Sequence, residues 1–235
     1  MSGELKIFAG SSHPELAKVI AQWLGMPVGP SQTISLANEN LEVQILANVR
    51  ESDVFYIQTA ASPLHRHTME MFLALDALRG ASARRVTAVI PYMPYVRADQ
   101  KDKPRISIAA RLMADLMMTS GADRVLTMDL HAPQVQGFFR IPTDQLQACQ
   151  AICDHLKRRD LSNTVLVAAD AGEATDVGRY ANRLNLPIAV IDQRFLRGSK
   201  SRHMDLIGSV EGKQAILIDD EIATLKAEFT SRGQE

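Results

Sequence analysis

Val86-Thr-Ala-Val-Ile-Pro91, then Tyr95-Val-Arg-Ala-Asp-Gln-Lys-Asp-Lys-Pro-Arg105, then Gly121-Ala-Asp-Arg-Val-Leu-Thr-Met-Asp-Leu-His131 decide how this chain folds. The first is an apolar run. The second is a charged segment stiffened by Pro94 and Pro104. An amphipathic stretch, Ile106–Ser120, follows, with Met113, Met117 and Met118 as core positions of a helix. A second apolar run, Arg124–Met128, ends in Asp129-Leu130-His131. The order is strand, charged loop, helix, strand, with a histidine at the carboxyl end of the second strand. Ligands of open parallel sheets bind at that end. A basic loop and a His/Asp tip on one sheet edge suit an anionic, metal-bound substrate such as a nucleotide.

The same rhythm extends in both directions. Leu5–Ala9 reads as a strand, Gly10-Ser11-Ser12 as a turn, and Pro14–Leu24 as a helix with proline in its first turn. Leu41–Leu46 and Val54–Thr59 are β-rich, and Thr68–Leu78 has helical periodicity. The pattern loosens over Ile141-Pro-Thr-Asp144, which marks a domain boundary and gives domains 1–144 and 145–235. Beyond it come helix Leu146–Arg158, strand Thr164–Ala168, helix Thr175–Leu184, strand Ile188–Asp192, a basic loop Gln193–His203 and strand Ala215–Ile218. Strands separated by helices favour an α/β fold with mainly parallel sheets over a sandwich.

Composition narrows the function. The 235 residues are 46% hydrophobic, enough for one large or two small cores. A net charge of −1, from 26 basic and 27 acidic side chains, argues against a general nucleic-acid binder. No run of 18 apolar residues offers a membrane span. Met1-Ser-Gly-Glu-Leu-Lys6 lacks the apolar core of a signal peptide. Cys149 and Cys153 lie on successive turns of one helix, which disfavours a disulfide, and two thiols alone make no zinc site. They read as reduced thiols of a cytoplasmic protein.

Three strand tips carry candidate chemistry. His131 is either a capping histidine or a metal or phosphate ligand. Val165-Leu-Val-Ala-Ala-Asp170-Ala-Gly172 is a second apolar strand ending in an acid. One histidine and one aspartate, His131 and Asp170, with phosphate oxygens and water, would suit Mg²⁺, which seldom uses an all-protein cage. Ile216-Leu-Ile-Asp219-Asp220-Glu221 is the third, either a pair of carboxylates for sugar hydroxyls or a metal, or a solvated helix start. Arg97, Asp99, Lys101, Lys103 and Arg105 form a loop suited to an anion. Arg194, Arg197, Lys200 and Arg202 are either a loop that folds over phosphates or a solvated one. His65, Arg66 and His67 precede a helix whose N-terminus could hold an anion.

Gly121-Ala-Asp-Arg-Val-Leu-Thr-Met-Asp-Leu-His-Ala132, with Gln136-Gly-Phe-Phe139, resembles the signature of ribose-phosphate pyrophosphokinases, the phosphoribosyl-pyrophosphate (PRPP) synthetases. Asn48-Val-Arg50, Asp76-Ala-Leu-Arg79, Thr87-Ala-Val-Ile-Pro-Tyr92 and Asp219-Asp220 add to it, so the resemblance covers nearly the whole chain. It implies two phosphoribosyltransferase-like α/β domains and transfer of diphosphate from ATP to the C1 hydroxyl of ribose 5-phosphate, giving PRPP and AMP. Mg²⁺ as cofactor, inorganic phosphate as activator and a homo-oligomer are implied with it. His131 and Asp170 match the family's metal positions, and Arg97 and Asp99 its ATP loop. Leu36, Asn38 and Asn40 match its adenine segment, and Asp219, Asp220 and Thr224 the start of its ribose-phosphate loop. His131 and Arg194 match catalytic positions.

Departures cluster on the ribose-phosphate side. The family loop continues Asp-Asp-x-x-x-Thr-Gly-Gly-Thr, whose glycines let backbone N–H groups turn onto a phosphate. Here Thr224 is followed by Leu225-Lys226-Ala227. The catalytic loop of the family opens Asp-Lys-Arg-Arg; this chain has Asp192-Gln193-Arg194-Phe195. The adenine segment is usually Phe-Ser-Asp-Gly-Glu, against Leu36-Ala-Asn-Glu-Asn40 here, and the Gln between the ATP-loop Arg and Asp is Ala98. Members also continue past residue 235, so the resemblance implies a shortened second domain. Three readings follow: an active synthetase; a catalytically weak or inactive nucleotide-binding regulatory subunit that assembles with a full-length synthetase; or a gene fragment. A phosphoribosyltransferase is suggested by Asp219-Asp220 but fits the N-terminal half badly.

Overall fold

The computed structural model describes residues 3–195 and 202–221, with backbone alone at 193–195 and 202–204. The chain divides into two compact units, 1–146 and 147–235.

In the first unit the elements run β1 (Leu5–Ala9), α1 (Pro14–Trp23), β2 (Ser31–Ser35), β3 (Leu41–Ile45), β4 (Asp53–Ile57), α2 (Leu64–Gly80), β5 (Arg85–Ile90), α3 (Ala109–Ser120), β6 (Arg124–Met128), a short 3₁₀ turn (Pro133–Phe138) and β7 (Thr143–Leu146). Five strands pair in parallel in the order β1-β4-β5-β6-β7. Alternate residues sort to opposite faces, as the pleat requires. Phe8, Tyr56, Ala88 and Val125 are buried with Met71, Leu75 and Leu78 of α2 and Met113 and Met117 of α3. Ile7, Ile57 and Val89 meet Ala17 and Ala21 of α1.

Each step across this sheet moves in the same direction. Right-handed crossovers therefore place α2 and α3 on one face. Between α1 and β4 the chain makes the hairpin β2-β3, whose Val43 and Ile45 pack with the α2 core. The chain thus leaves the α1 face before it enters β4. The α1 face keeps an apolar groove of about 580 Å³ lined by residues including Ile7, Ile20, Phe55, Val89, Leu126 and Leu146.

Leu41–Leu46, read as one more strand of an alternating α/β chain, instead pairs antiparallel with β2. Ser31-Gln-Thr-Ile-Ser35 carries little β signal in its composition, and its partner supplies the order. Thr143-Asp-Gln-Leu146, which overlaps the stretch Ile141–Asp144 that loosens in sequence and takes in Leu146, read as the start of a helix, is the edge strand β7 and is polar because one of its sides faces solvent. Helix α2 starts four residues before Thr68, so His65, Arg66 and His67 form its first turn rather than precede it. Helix α3 stops at Gly121, whose φ of 116° is left-handed and whose added Cβ would meet Arg79 Cβ at 2.9 Å.

The second unit holds α4 (Cys149–Leu156), β8 (Thr164–Ala168), α5 (Ala174–Leu184), β9 (Ile188–Phe195), β10 (Arg202–Ile207) and β11 (Gln214–Ile218). The sheet order is β10-β9-β8-β11, parallel except for β9 against β10. Strand β8 is buried along its whole length, which explains its uninterrupted apolar run. Of the stretch Gln193–His203, read as a loop, residues 193–195 belong to β9 and pair with β10 from Arg202 onward, and residues 196–201 lie outside the described residues. Cys149 and Cys153 are buried free thiols. No described helix is long and apolar enough to cross a membrane.

Candidate functional site

In the first unit the candidate residues gather where β5 and β6 end. These strands are neighbours, with Ile90 opposite Thr127. The loop after β5 is anchored by buried Met93 and Val96, which leaves Arg97 exposed and Asp99 half-buried. The Ala98 N–H bonds the Tyr95 carbonyl at 3.1 Å, and the Ala110 N–H bonds the Ala98 carbonyl at 3.1 Å, fixing the loop to the start of α3. Tyr95 and Arg105 both take positive φ, 59° and 62°. These conformations are costly for side-chain-bearing residues and need surrounding contacts to persist.

After β6, Leu130 and Ala132 are buried and His131 between them is exposed. The anchoring of its two neighbours turns the imidazole outward. Asp129, at φ 40°, makes the bend, and its N–H bonds the Leu146 carbonyl at 3.0 Å. Gln134 Nε2 donates to Asp99 Oδ2 at 3.3 Å. The Arg97–Asp99 loop and the segment carrying His131 therefore meet on one edge.

Leu36, Asn38 and Asn40 occupy a separate element, the exposed tip of the β2-β3 hairpin. The tip is closed by Leu36 N–H on the Asn40 carbonyl at 2.8 Å and Asn40 N–H on Asn38 Oδ1 at 3.2 Å. Sequence reading missed what holds this hairpin. Glu70 of α2 is fully buried and accepts from Ser11 N–H (2.9 Å), Ser11 Oγ (2.5 Å), Thr33 Oγ1 (2.7 Å) and Gln58 Nε2 (3.0 Å). Burial, and then the Glu70 carboxylate, push the Tyr56 hydroxyl far above its ordinary pKa. The signal was present, because Glu70 lies on the stripe His67, Met71, Ala74, Leu78 that faces the core.

In the second unit β11 lies beside β8, with Ile218 opposite Ala168, so the acids that follow both strands share an edge. Asp170 Oδ1 accepts from Gly172 N–H at 2.7 Å and Glu173 N–H at 3.1 Å, closing the turn into α5. Asp219 Oδ1 accepts from Asp220 N–H at 2.8 Å. Partial burial and then a hydrogen bond shared with the Asp220 carboxyl raise the Asp219 carboxyl above its usual range. Glu173, which sequence reading missed, is raised as well. Burial contributes most, followed by Asp220, Asp219, Asp170 and Asp176. The carboxylates that add to the rise follow β8 and β11 or lie in the first turn of α5. Carboxylate oxygens are the ligand type that a hard divalent cation such as Mg²⁺ takes. Arg194 is described by its backbone only, on β9, and Thr224 lies outside the described residues.

The apolar groove of the first unit lies on the face of the sheet. Its lining offers no charge or donor set for a phosphate.

Residues 5–121 match the model of the N-terminal domain of ribose phosphate pyrophosphokinase. The ribose-phosphate pyrophosphokinase of Deinococcus radiodurans is 47% identical over 222 residues, 94% of this chain and 69% of the relative. That of Clostridium perfringens is 44% identical over 226 residues, 95% of this chain and 71% of the relative. The crystal structure of phosphoribosylpyrophosphate synthetase from Mycobacterium smegmatis superimposes with a TM-score of 0.84 at 36% identity, covering 92% of this chain and 71% of that one. With identity this high over more than two thirds of the relatives, the chain belongs to the ribose-phosphate pyrophosphokinase family.

Proposed function

We propose that this chain transfers the β,γ-diphosphoryl group of ATP to the C1 hydroxyl of ribose 5-phosphate, giving PRPP and AMP for nucleotide biosynthesis. The observation that supports it most is the 47% identity to the Deinococcus radiodurans enzyme over 222 residues. In this reading residues 1–144 form the ATP and metal side, and residues 145–235 the ribose-phosphate side. Arg97 and Asp99 hold the triphosphate and orient it at the edge that also carries His131. Leu36, Asn38 and Asn40 contact the adenine ring. Asp219 and Asp220 accept hydrogen bonds from the ribose hydroxyls, and Thr224 binds the 5-phosphate. Arg194 stabilises charge on the diphosphoryl group in transit. His131 in the first unit and Asp170 in the second are metal ligands. Mg²⁺ held by such ligands would supply charge neutralisation of the phosphate oxygens. Inorganic phosphate serves as an activator, and the working form is a homo-oligomer. Buried unpaired Cys149 and Cys153 fit a cytoplasmic location.

The test is AMP release from ATP by purified protein supplied with Mg²⁺ and phosphate. The reading expects release that depends on ribose 5-phosphate and stops when EDTA removes the metal. Absence of AMP in an assay sensitive enough to detect a 10³-fold impaired enzyme, roughly the loss from one missing charge-stabilising donor, would refute it.

A second reading has its own support. Gln193 and Phe195 stand where the family carries a lysine and an arginine, and Leu225-Lys226-Ala227 where it carries glycines. A nucleotide-binding regulatory subunit assembled with a full-length synthetase needs neither. That reading expects ATP binding without turnover and copurification with an active synthetase.

A further inference from the structure

The first turn of α2 carries two polar side chains that the proposed reaction does not use. Arg66 Nη1 donates to Ser35 Oγ at 2.5 Å, at the last residue of β2 before the hairpin tip. His65 Nδ1 lies 2.6 Å from the Tyr95 hydroxyl, and the two rings stack with centroids 6.1 Å apart and planes 27° from parallel. Neighbouring residues on a helix point about 100° apart. One turn therefore reaches both the hairpin and the Arg97 loop.

The spacing is matched as well. Thr33 and Ser35 lie on one side of β2, about 6.6–6.8 Å apart along the strand. Their partners Glu70 and Arg66 are four residues apart on α2, about 6 Å along the helix. The hairpin belongs to neither main sheet; Val43 and Ile45 of β3 pack it on the α2 core, and these two bonds tie β2 to the helix in register. The turn itself is fixed: His67 Nδ1 pairs with the Ala61 carbonyl at 2.9 Å, and Gln58 Nε2 donates to the His67 carbonyl at 3.1 Å. Tyr95 is the residue at φ 59°, and His65 is the ring packed against it. A strained backbone of this kind holds only while its neighbours hold it.

We infer that Arg66 and His65 are positioning residues for nucleotide binding: Arg66 aims the hairpin tip Leu36–Asn40 through Ser35, and His65 holds the Arg97–Asp99 loop through Tyr95. This rests on the reading of those two segments as nucleotide contacts. It assigns no contact between either residue and the nucleotide.

The test uses the full chain with Mg–ATP as the probe, read by calorimetry, together with hydrogen exchange of the unliganded protein. Arg66→Ala raises exchange across residues 36–40 and weakens Mg–ATP binding by roughly tenfold, the scale of one charge-assisted bond. Ser35→Ala does the same, and the double variant is no worse than either single one. Arg66→Lys recovers part of the loss. His65→Ala raises exchange in the loop 95–99 and leaves the hairpin unchanged. A direct phosphate contact by Arg66 predicts a different pattern, in which Ser35→Ala is silent and exchange is unmoved; that result overturns the inference. So do variants that bind Mg–ATP as tightly as a binding-competent wild type, in which case the synthetase reading stands. If the wild type binds no Mg–ATP, both fall.

Discussion

Replacing Glu70 by glutamine changes one atom of a buried side chain and should cost far more than its size implies. Oε1 accepts from Ser11 N–H and Thr33 Oγ1; Oε2 accepts from Ser11 Oγ and Gln58 Nε2. Each oxygen thus meets one hydroxyl, which can rotate to become an acceptor, and one N–H, which cannot. Gln58 cannot turn its amide to help, because its Oε1 already accepts from Ser12 N–H at 3.1 Å and Ser12 Oγ at 2.6 Å. Whichever way the new amide is oriented, its NH₂ faces an N–H donor. One buried donor is left unpaired, and the surviving bonds lose their charge assistance. Together these cost about 2–4 kcal/mol. For a chain of this size that lowers the melting temperature of the first unit by roughly 5–15 °C. Thermal unfolding followed by circular dichroism reads the shift, and hydrogen exchange in β4 and α2 assigns it to the first unit. A Glu70→Gln protein melting within a degree of wild type would mean that the four bonds do not hold Glu70 as drawn.

Three further outcomes are expected. Thr87 and Thr164 have buried hydroxyls with no hydrogen-bond partner among the described residues, so Thr87→Val and Thr164→Val should each raise stability by about 0.5–1.5 kcal/mol in urea titrations. Gly121→Ala places a Cβ against Arg79 at a φ of 116° and should cost about 1–3 kcal/mol, visible as a lower urea midpoint at unchanged slope. Burial, then the neighbouring Cys149, raise the Cys153 thiol pKa, so less thiolate is present at any pH near 8 than in a free cysteine. Iodoacetamide should alkylate Cys153 at least about tenfold more slowly in the native protein than in urea; equal rates would contradict its burial.

Much of the architecture was legible before any coordinates. Strands Leu5–Ala9, Arg124–Met128 and Thr164–Ala168 have the bounds that the sequence implied, because buried parallel strands are short apolar runs closed by turn residues. The strand-tip residues His131, Asp170 and Asp219 stand out in the sequence for the same reason, since each follows such a run. Elements that draw their order from a partner were not legible. Strand β2 is Ser-Gln-Thr-Ile-Ser and β7 is Thr-Asp-Gln-Leu, and neither carries an apolar signature of its own. The chain past Asp192 read as a basic loop because the antiparallel pairing of β9 with β10 joins residues that are polar in sequence.

Family membership and the placement of His131, Asp170 and Asp219 just past the carboxyl ends of parallel strands could be read from the chain alone, since apolar run lengths and the residues that end them are local properties. Which polar groups act together is set by contacts between distant parts of the chain. Glu70 joins Ser11, Thr33 and Gln58 across 59, 37 and 12 residues of chain. Arg66 meets Ser35 across 31, and Glu173 lies among acids that come from two different strands. Contacts over such separations follow from crossover handedness and sheet register, which no window of sequence contains.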